Sequence, residues 1–165
     1  MSKCVFAGTF DPFTKGHLDV VERLAKTFDT VFVVVSKNAS KNTFADGQQR
    51  YQMVKECVDI QNVQVVLFEG LLVDFCNQNN VDCIVKGVRN AVDFDYERLQ
   101  SSVNKELGGV ETLFMPCSDN MGFLSSSFVR ELLALGKDIS KYIPQPIVDQ
   151  VSKLYIKNST HQKGE

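Results

Sequence analysis

The sequence has little net charge. Eighteen basic residues against 20 acidic ones leave −2, too weak a field for non-specific binding to nucleic acid or a membrane surface. It has no run of 18 apolar residues, so nothing reads as a membrane span. The N-terminus lacks the charged and apolar regions of a signal peptide, so a cytoplasmic location is expected. The five cysteines, Cys4, Cys57, Cys76, Cys83 and Cys117, are odd in number and form no C-x-x-C. They read as reduced core thiols rather than disulfide or zinc partners. With no H-x-x-x-H either, no dedicated metal site is expected. The absence of G-x-S-x-G removes the hydrolase nucleophile elbow. G-x-G-x-x-G and G-K-[ST] are absent too, which excludes the dinucleotide fingerprint and the Walker A loop. The basic residues form no stripe and no RNA-binding signature occurs, so no nucleic-acid partner is expected.

What is present suits one domain. The chain has 165 residues, 44% apolar and 23% charged, enough for a substantial core. Its organising stretch is Phe6-Ala-Gly-Thr-Phe-Asp-Pro-Phe-Thr-Lys-Gly-His17. An apolar strand, Cys4 to Ala7, runs into Gly8-Thr9, a turn-rich segment, and an amphipathic helix from Leu18 to Phe28 that His17 opens. Strand, glycine-bearing loop and helix start make an anion site in α/β proteins. Further strands are expected at Thr30–Ser36, Val63–Phe68, Asp82–Lys86 (ended by Gly87) and Glu111–Met115 (stopped by Pro116). Helices are expected from Asp46 to about Val58, with Gln49 completing a capping box, then at Leu71–Asn79, Val92–Leu107, after Ser125-Ser126-Ser127, and at Ile147–Ile156. Five strands alternating with helices argue an α/β fold: a single doubly wound domain over 1–157, with a mostly parallel five-stranded sheet. The expected order is 3-2-1-4-5, with the switch point between strands one and four. Residues 158–165 read as a polar, disordered tail.

Such sheets bind ligands beyond the carboxyl ends of their strands. Thr9, Phe10 and His17 follow strand one, and Ser36, Lys37 and Lys41 follow strand two. Gly70 and Leu72 follow strand three. Lys86, Gly87, Arg89, Asp93 and Glu97 follow strand four, and Ser125-Ser126-Ser127 follow strand five. Bases and a helix start on one edge suit phosphates. Each residue also has a plain alternative. Lys41 can be a solvated loop lysine, and Arg89 a partner of Asp93 at i,i+4. Glu97 can be an exposed carboxylate, Leu72 a core residue, and the serines a redundant N-cap. His17, after T-x-G and beside Thr9, reads as a hydrogen-bond donor to a phosphate oxygen. His161 receives no role.

Taken together, Gly8-Thr-Phe-Asp-Pro12, Thr14-x-Gly-His17, Lys41, Gly87-Val-Arg89, Asp93-Phe-Asp-Tyr-Glu97 and Phe123-Leu-Ser-Ser-Ser127 resemble bacterial phosphopantetheine adenylyltransferases, of the nucleotidyltransferase superfamily with its Rossmann-like fold. The match runs from Lys3 to about Ile156. Cytidylyltransferases of the superfamily usually show H-x-G-H, where this chain has Thr14. The resemblance implies that ATP and 4′-phosphopantetheine give dephospho-coenzyme A and pyrophosphate, with Mg²⁺, in a homohexamer of coenzyme A biosynthesis. It implies that His17 stabilises the transition state, assisted by Thr9 and Lys41. Thr9, Lys41, Leu72 and Lys86 would contact phosphopantetheine. Thr9, Phe10, His17, Gly87, Val88, Arg89, Glu97, Met121, Gly122, Phe123, Leu124, Ser125, Ser126 and Ser127 would contact ATP. Two departures stand out. Lys86 occupies a position where a well-known member of the family has arginine, keeping the charge without the bidentate fork. The loop between Pro116 and Phe123 is one residue longer, with Met121 where an aromatic can sit. Rival readings are a transferase using CTP or another acceptor, a non-catalytic nucleotide or coenzyme A sensor, and a generic flavodoxin-like module.

Overall fold

The computed structural model describes residues 1–37 and 43–161, the last five of these as backbone alone. Its five strands are β1 (Lys3–Gly8), β2 (Thr30–Ser36), β3 (Val63–Phe68), β4 (Cys83–Val88) and β5 (Glu111–Pro116). Its helices are α1 (Lys15–Ala25), α2 (Gly47–Cys57), α3 (Leu72–Asn79), α4 (Ala91–Gly108), α5 (Ser126–Ala134) and α6 (Val148–His161). The strands lie in the order β3-β2-β1-β4-β5, and every pairing is parallel. The expected order is the observed one, and the sheet is wholly rather than mostly parallel. The chain winds from β1 outward to β3, then crosses back to β4. That places the topological switch between β1 and β4, where such sheets open a crevice.

The β-branched run of β2 explains why the sheet is covered on both faces. Alternate side chains point to opposite sides. Val31, Val33 and Val35 join the larger core with Val21 and Leu24 of α1, Met53 and Val54 of α2, Val129 of α5 and Val151 of α6. Phe32 and Val34 join Val5, Ile84 and Phe75 on the other face. Neither face of this strand reaches water, so a polar residue in the run would break the layer.

Local signals set most boundaries. Asp46 accepts from the Gln49 N–H at 2.8 Å while Gln49 Oε1 accepts from the Asp46 N–H at 3.0 Å, the expected capping box. Gly109 closes α4 at φ 69°, in the left-handed region. Several boundaries differ from expectation: α1 ends at Ala25 rather than Phe28, and β5 takes in Pro116. α1 starts at Lys15, two residues before His17, because Thr14 caps it. Gly87 lies inside β4 rather than after it. Helix α6 continues to His161, taking in the first part of the expected polar tail; 162–165 lie outside the described residues. All five cysteines are free thiols. Burial pushes Cys4 and Cys57 up to about 12 and Cys76 up to about 11, so none of those three offers a thiolate at neutral pH.

Candidate active site

A cavity of about 330 Å³ opens at the switch point. Gly8 and Phe10 from the end of β1 form one wall, with Thr14, Gly16 and His17 at the start of α1. Lys86 to Arg89 at the end of β4 form the opposite wall, and Asp93, Tyr96 and Glu97 of α4 rise behind them. Met121, Leu124 and Ser125 to Ser127 close the rim.

The T-x-G-H stretch is itself a capping box. The Thr14 hydroxyl accepts from the His17 N–H at 3.3 Å, and His17 Nδ1 accepts from the Thr14 N–H at 3.0 Å. The usual glutamate or glutamine of this motif is replaced by an imidazole. A ring nitrogen that accepts carries no proton, so the neutral ring holds its proton on Nε2. Packing fixes the ring plane. Phe13 stacks on it with centroids 5.5 Å apart, and Phe10 meets it edge-on at 5.1 Å. Burial, and secondarily the charge of Arg89, lower the His17 pKa from 6.5 to about 4. The imidazole is therefore a neutral Nε2–H donor at physiological pH, not an acid or a base.

This has a measurable consequence. The His17 ring resonances are expected to hold their neutral-form shifts from pH 8 down to about 5 and to move only near pH 4. A titration midpoint near 6.5 would show a solvated ring. In an unfolded chain the ring binds its proton near 6.5; in the folded protein it does so only near 4. Between those values the unfolded state holds more protons. Stability from this group is present above 6.5 and is lost as pH falls toward 4.

Two ion pairs span the β4 wall. Lys86 Nζ lies 3.2 Å from Glu97 Oε2. Arg89 donates to both oxygens of Asp93, at 2.6 and 3.0 Å. Asp93 and Glu97 are one helical turn apart, so α4 presents two carboxylates to two bases. At the rim, the Ser125 hydroxyl accepts from the Phe128 N–H at 3.0 Å and the Ser126 hydroxyl donates to the Pro12 carbonyl at 2.8 Å. The N–H groups of a helix's first turn have no partner within the helix and carry its positive dipole end. The cavity thus gathers a neutral donor, two cationic side chains and a helix start, a set suited to several phosphate groups.

A model of the cytidylyltransferase-like family matches residues 5–132. The chain is 42% identical over 148 residues to a phosphopantetheine adenylyltransferase of Nocardioides sp., covering 89% of this chain and 93% of that one. It is 43% identical over 148 residues to one of Staphylococcus carnosus, covering 88% and 92%. The chain belongs to the phosphopantetheine adenylyltransferase family. It is an enzyme of the nucleotidyltransferase class. Its fold is shared with a Vibrio parahaemolyticus protein assigned as a nicotinate-nucleotide adenylyltransferase, at TM-score 0.66 and 23% identity, covering 95% of this chain and 93% of that one.

Most residues that the resemblance singles out as adenylyltransferase site residues meet in this one cavity. Phe10, His17, Lys86, Gly87, Val88, Arg89, Glu97, Met121, Leu124 and the three serines all line it. Four do not. Thr9 sits just behind the wall, its carbonyl accepting from Arg50 at 2.6 Å. Leu72 packs against the core on the far face of the sheet. Gly122 lies beside Cys117 and the Arg89 carbonyl. Phe123 is 60% exposed and meets Phe128 and Tyr142 edge-on. Lys41 lies outside the described residues. The sequence reading missed a clamp on the loop after β5. The Ser118 hydroxyl lies 2.9 and 2.8 Å from the two Asp19 oxygens. Arg23 donates to Asp19 at 3.3 Å and to the Pro116 carbonyl at 2.8 Å. No local pattern announces partners so far apart in sequence.

Proposed function

We propose that this chain transfers the adenylyl group of ATP to 4′-phosphopantetheine, reversibly, giving dephospho-coenzyme A and pyrophosphate in coenzyme A biosynthesis. The observation that carries this reading is a histidine fixed as a neutral Nε2–H donor, lining one cavity with Lys86 and Arg89. The attacking group is a phosphate monoester oxygen, already anionic near neutral pH. It needs no general base, and a histidine fixed as a neutral donor is no base. An in-line attack on the α-phosphorus needs no covalent enzyme intermediate. Catalysis then consists of placing two anions side by side and stabilising the charge that develops.

His17 donates to the α-phosphate oxygens as charge builds there. Lys86 holds the incoming phosphate, with Lys41 assisting from the segment after β2. Arg89 and the start of α5 hold the β- and γ-phosphates, which depart together. Both bases rest on α4 carboxylates, so the phosphates compete with Glu97 for Lys86 and with Asp93 for Arg89. Among the described residues no group of three or more His, Cys, Asp or Glu forms a metal cage. That fits Mg²⁺ bound chiefly to the triphosphate, keeping several waters. Its contribution is neutralisation of phosphate charge.

The direct test incubates the protein with phosphopantetheine and either ATP or CTP and follows pyrophosphate. Release with ATP alone is expected. Release with CTP would move the protein to the rival transferase reading, and ATP binding without release would make it a sensor. Lys86→Ala is expected to raise the KM for phosphopantetheine by about tenfold, as for loss of one charge-assisted contact, while the KM for ATP stays within about threefold. A rise confined to ATP would reassign that lysine.

We further propose a cytoplasmic homohexamer. Helix α4 has no buried residue in the single chain. Val92, Leu99, Val103 and Leu107, with Leu113 on the edge strand β5, are all at least half exposed. A helix so apolar and uncovered favours self-association. Among the described residues, no helix is long and apolar enough to cross a membrane.

A further inference from the structure

Arg50 is a charged side chain that the reaction, as described, does not use. It is 2% exposed. Taking a guanidinium out of water is costly, and an apolar residue of similar volume would fill the space without that cost. The reason to keep it lies in its donors. The Nη1 nitrogen donates to the Thr9 carbonyl at 2.6 Å and the Ser36 carbonyl at 2.9 Å, and Nε donates to the Ala45 carbonyl at 3.1 Å. The β1–β2 ladder ends at the pair Gly8 and Val35. Thr9 follows β1 directly and Ser36 is the last residue of β2. Arg50 therefore ties the two chains together where their own hydrogen bonds stop. Asp11 works on the same corner from the other side, accepting from the N–H groups of Phe44 at 2.8 Å and Ala45 at 3.0 Å. Arg50 and Asp11 thus grip one residue, Ala45, the first through its carbonyl and the second through its N–H.

The consequence for the site follows from the planarity of the peptide bond. In a trans peptide the carbonyl and the following N–H point in opposite directions. Arg50 draws the Thr9 carbonyl toward the β2 side of β1. The N–H of Phe10 then points to the other side, where β4 and the cavity lie. Phe10 has φ 51°, a left-handed backbone that a non-glycine residue keeps only where its surroundings enforce it. Its ring is one of those fixing His17.

We propose that Arg50 is a positioning residue for adenylyl transfer: its fork holds the Thr9–Phe10 peptide so that the Phe10 N–H donates to a substrate phosphate beside His17. This rests on the reaction proposed above. Lysine at this position keeps the charge, but its three rotatable N–H donors sit on one nitrogen and cannot reach these carbonyls in the fixed directions of the guanidinium fork.

The test compares Arg50→Lys with the wild type in the pyrophosphate assay and follows the Phe10 amide resonance in protein labelled with ¹⁵N-phenylalanine, on addition of ATP. In the wild type ATP is expected to shift the Phe10 amide strongly. In R50K that shift is expected to collapse, with kcat down about 10- to 100-fold, the range for a slightly misplaced group, and the KM for ATP within about threefold. A folded R50K with kcat within threefold of wild type overturns the proposal. So does a Phe10 amide in the wild type that ignores ATP, a measurement needing no variant. If R50K does not fold, Asp11→Asn loosens the same corner with Arg50 intact and is expected to weaken the Phe10 shift; an undiminished shift and kcat in D11N overturn the proposal. A wild type that releases no pyrophosphate overturns the reaction and this inference together, whereas active wild type beside equally active R50K overturns the inference alone.

Discussion

Replacing His17 by alanine is expected to lower kcat by about 10²–10³ and to leave the KM for ATP within about threefold. The loss corresponds to about 2.7–4 kcal/mol of transition-state stabilisation. The asymmetry follows from the ring's protonation. With its pKa held to about 4, the imidazole meets a bound phosphate as a neutral donor and adds no charge to ground-state binding. Its hydrogen bond strengthens when negative charge grows on the α-phosphate oxygens, which is where it acts on rate. His17→Asn keeps an amide donor in the same turn and is expected to retain more activity than alanine. A separate, smaller effect should appear in stability. Nδ1 is the acceptor for the Thr14 N–H, so its removal opens half of a capping box and costs about 0.5–2 kcal/mol, which a thermal melt would read as a drop of a few degrees. A variant whose KM for ATP rises as much as its kcat/KM falls would make His17 a ground-state binding residue. That would remove the transition-state role.

What the sequence made legible was the part that depends on neighbours along the chain. The β-branched run Thr30–Ser36 forms the strand its composition predicts. Asp46 and Gln49 cap α2 three residues apart, and Ser125 caps α5. The strand order is not readable from neighbours along the chain; the order expected for such a sheet is the one found. The reading slipped at boundaries, among them those of β4 and α1. Gly87 was expected to end β4, as glycines often do, but it continues the strand to Val88. α1 begins early because an imidazole stands where the capping rule looks for glutamate or glutamine. The candidate site divides in the same way. Motif residues around Gly8, His17, Arg89 and the serines announce themselves locally. Arg50 reaches Thr9 across 41 positions and Ser118 reaches Asp19 across 99, and nothing in their own stretches marks either pair. Such residues need the fold in hand, because their partners are backbone carbonyls or side chains supplied by distant segments of the chain.

Gly8→Ala is the second large expected effect, and it tests whether packing, rather than the capping box alone, aims His17. Gly8 is the last residue of β1. A Cβ built there would lie 2.8 Å from Phe10 Cε1 and 2.9 Å from Cζ, inside van der Waals contact. A flexible ring tip could move aside, but this ring is 3% exposed. It sits 5.6 Å from the Phe6 ring, 5.3 Å from Phe13 and 5.1 Å from His17. Phe6 belongs to the sheet and Phe13 is fully buried, which leaves His17, at the cavity wall, as the neighbour free to yield. Overpacking of this kind costs about 1–3 kcal/mol. A donor pushed aside by about 1 Å loses on the order of 10²-fold in rate. The expected variant is folded, melts several degrees lower, and has kcat down about 10- to 100-fold. Adding Phe10→Leu, which removes the atoms in the clash, should recover much of the lost stability but not the full rate, since the edge-on contact that steadies the imidazole is gone. Non-additive stabilities in that double-mutant cycle are the signature of direct contact. Should Gly8→Ala instead match the wild type in both melting and kcat, the phenylalanine cluster does not hold His17, and its orientation rests on Thr14 alone.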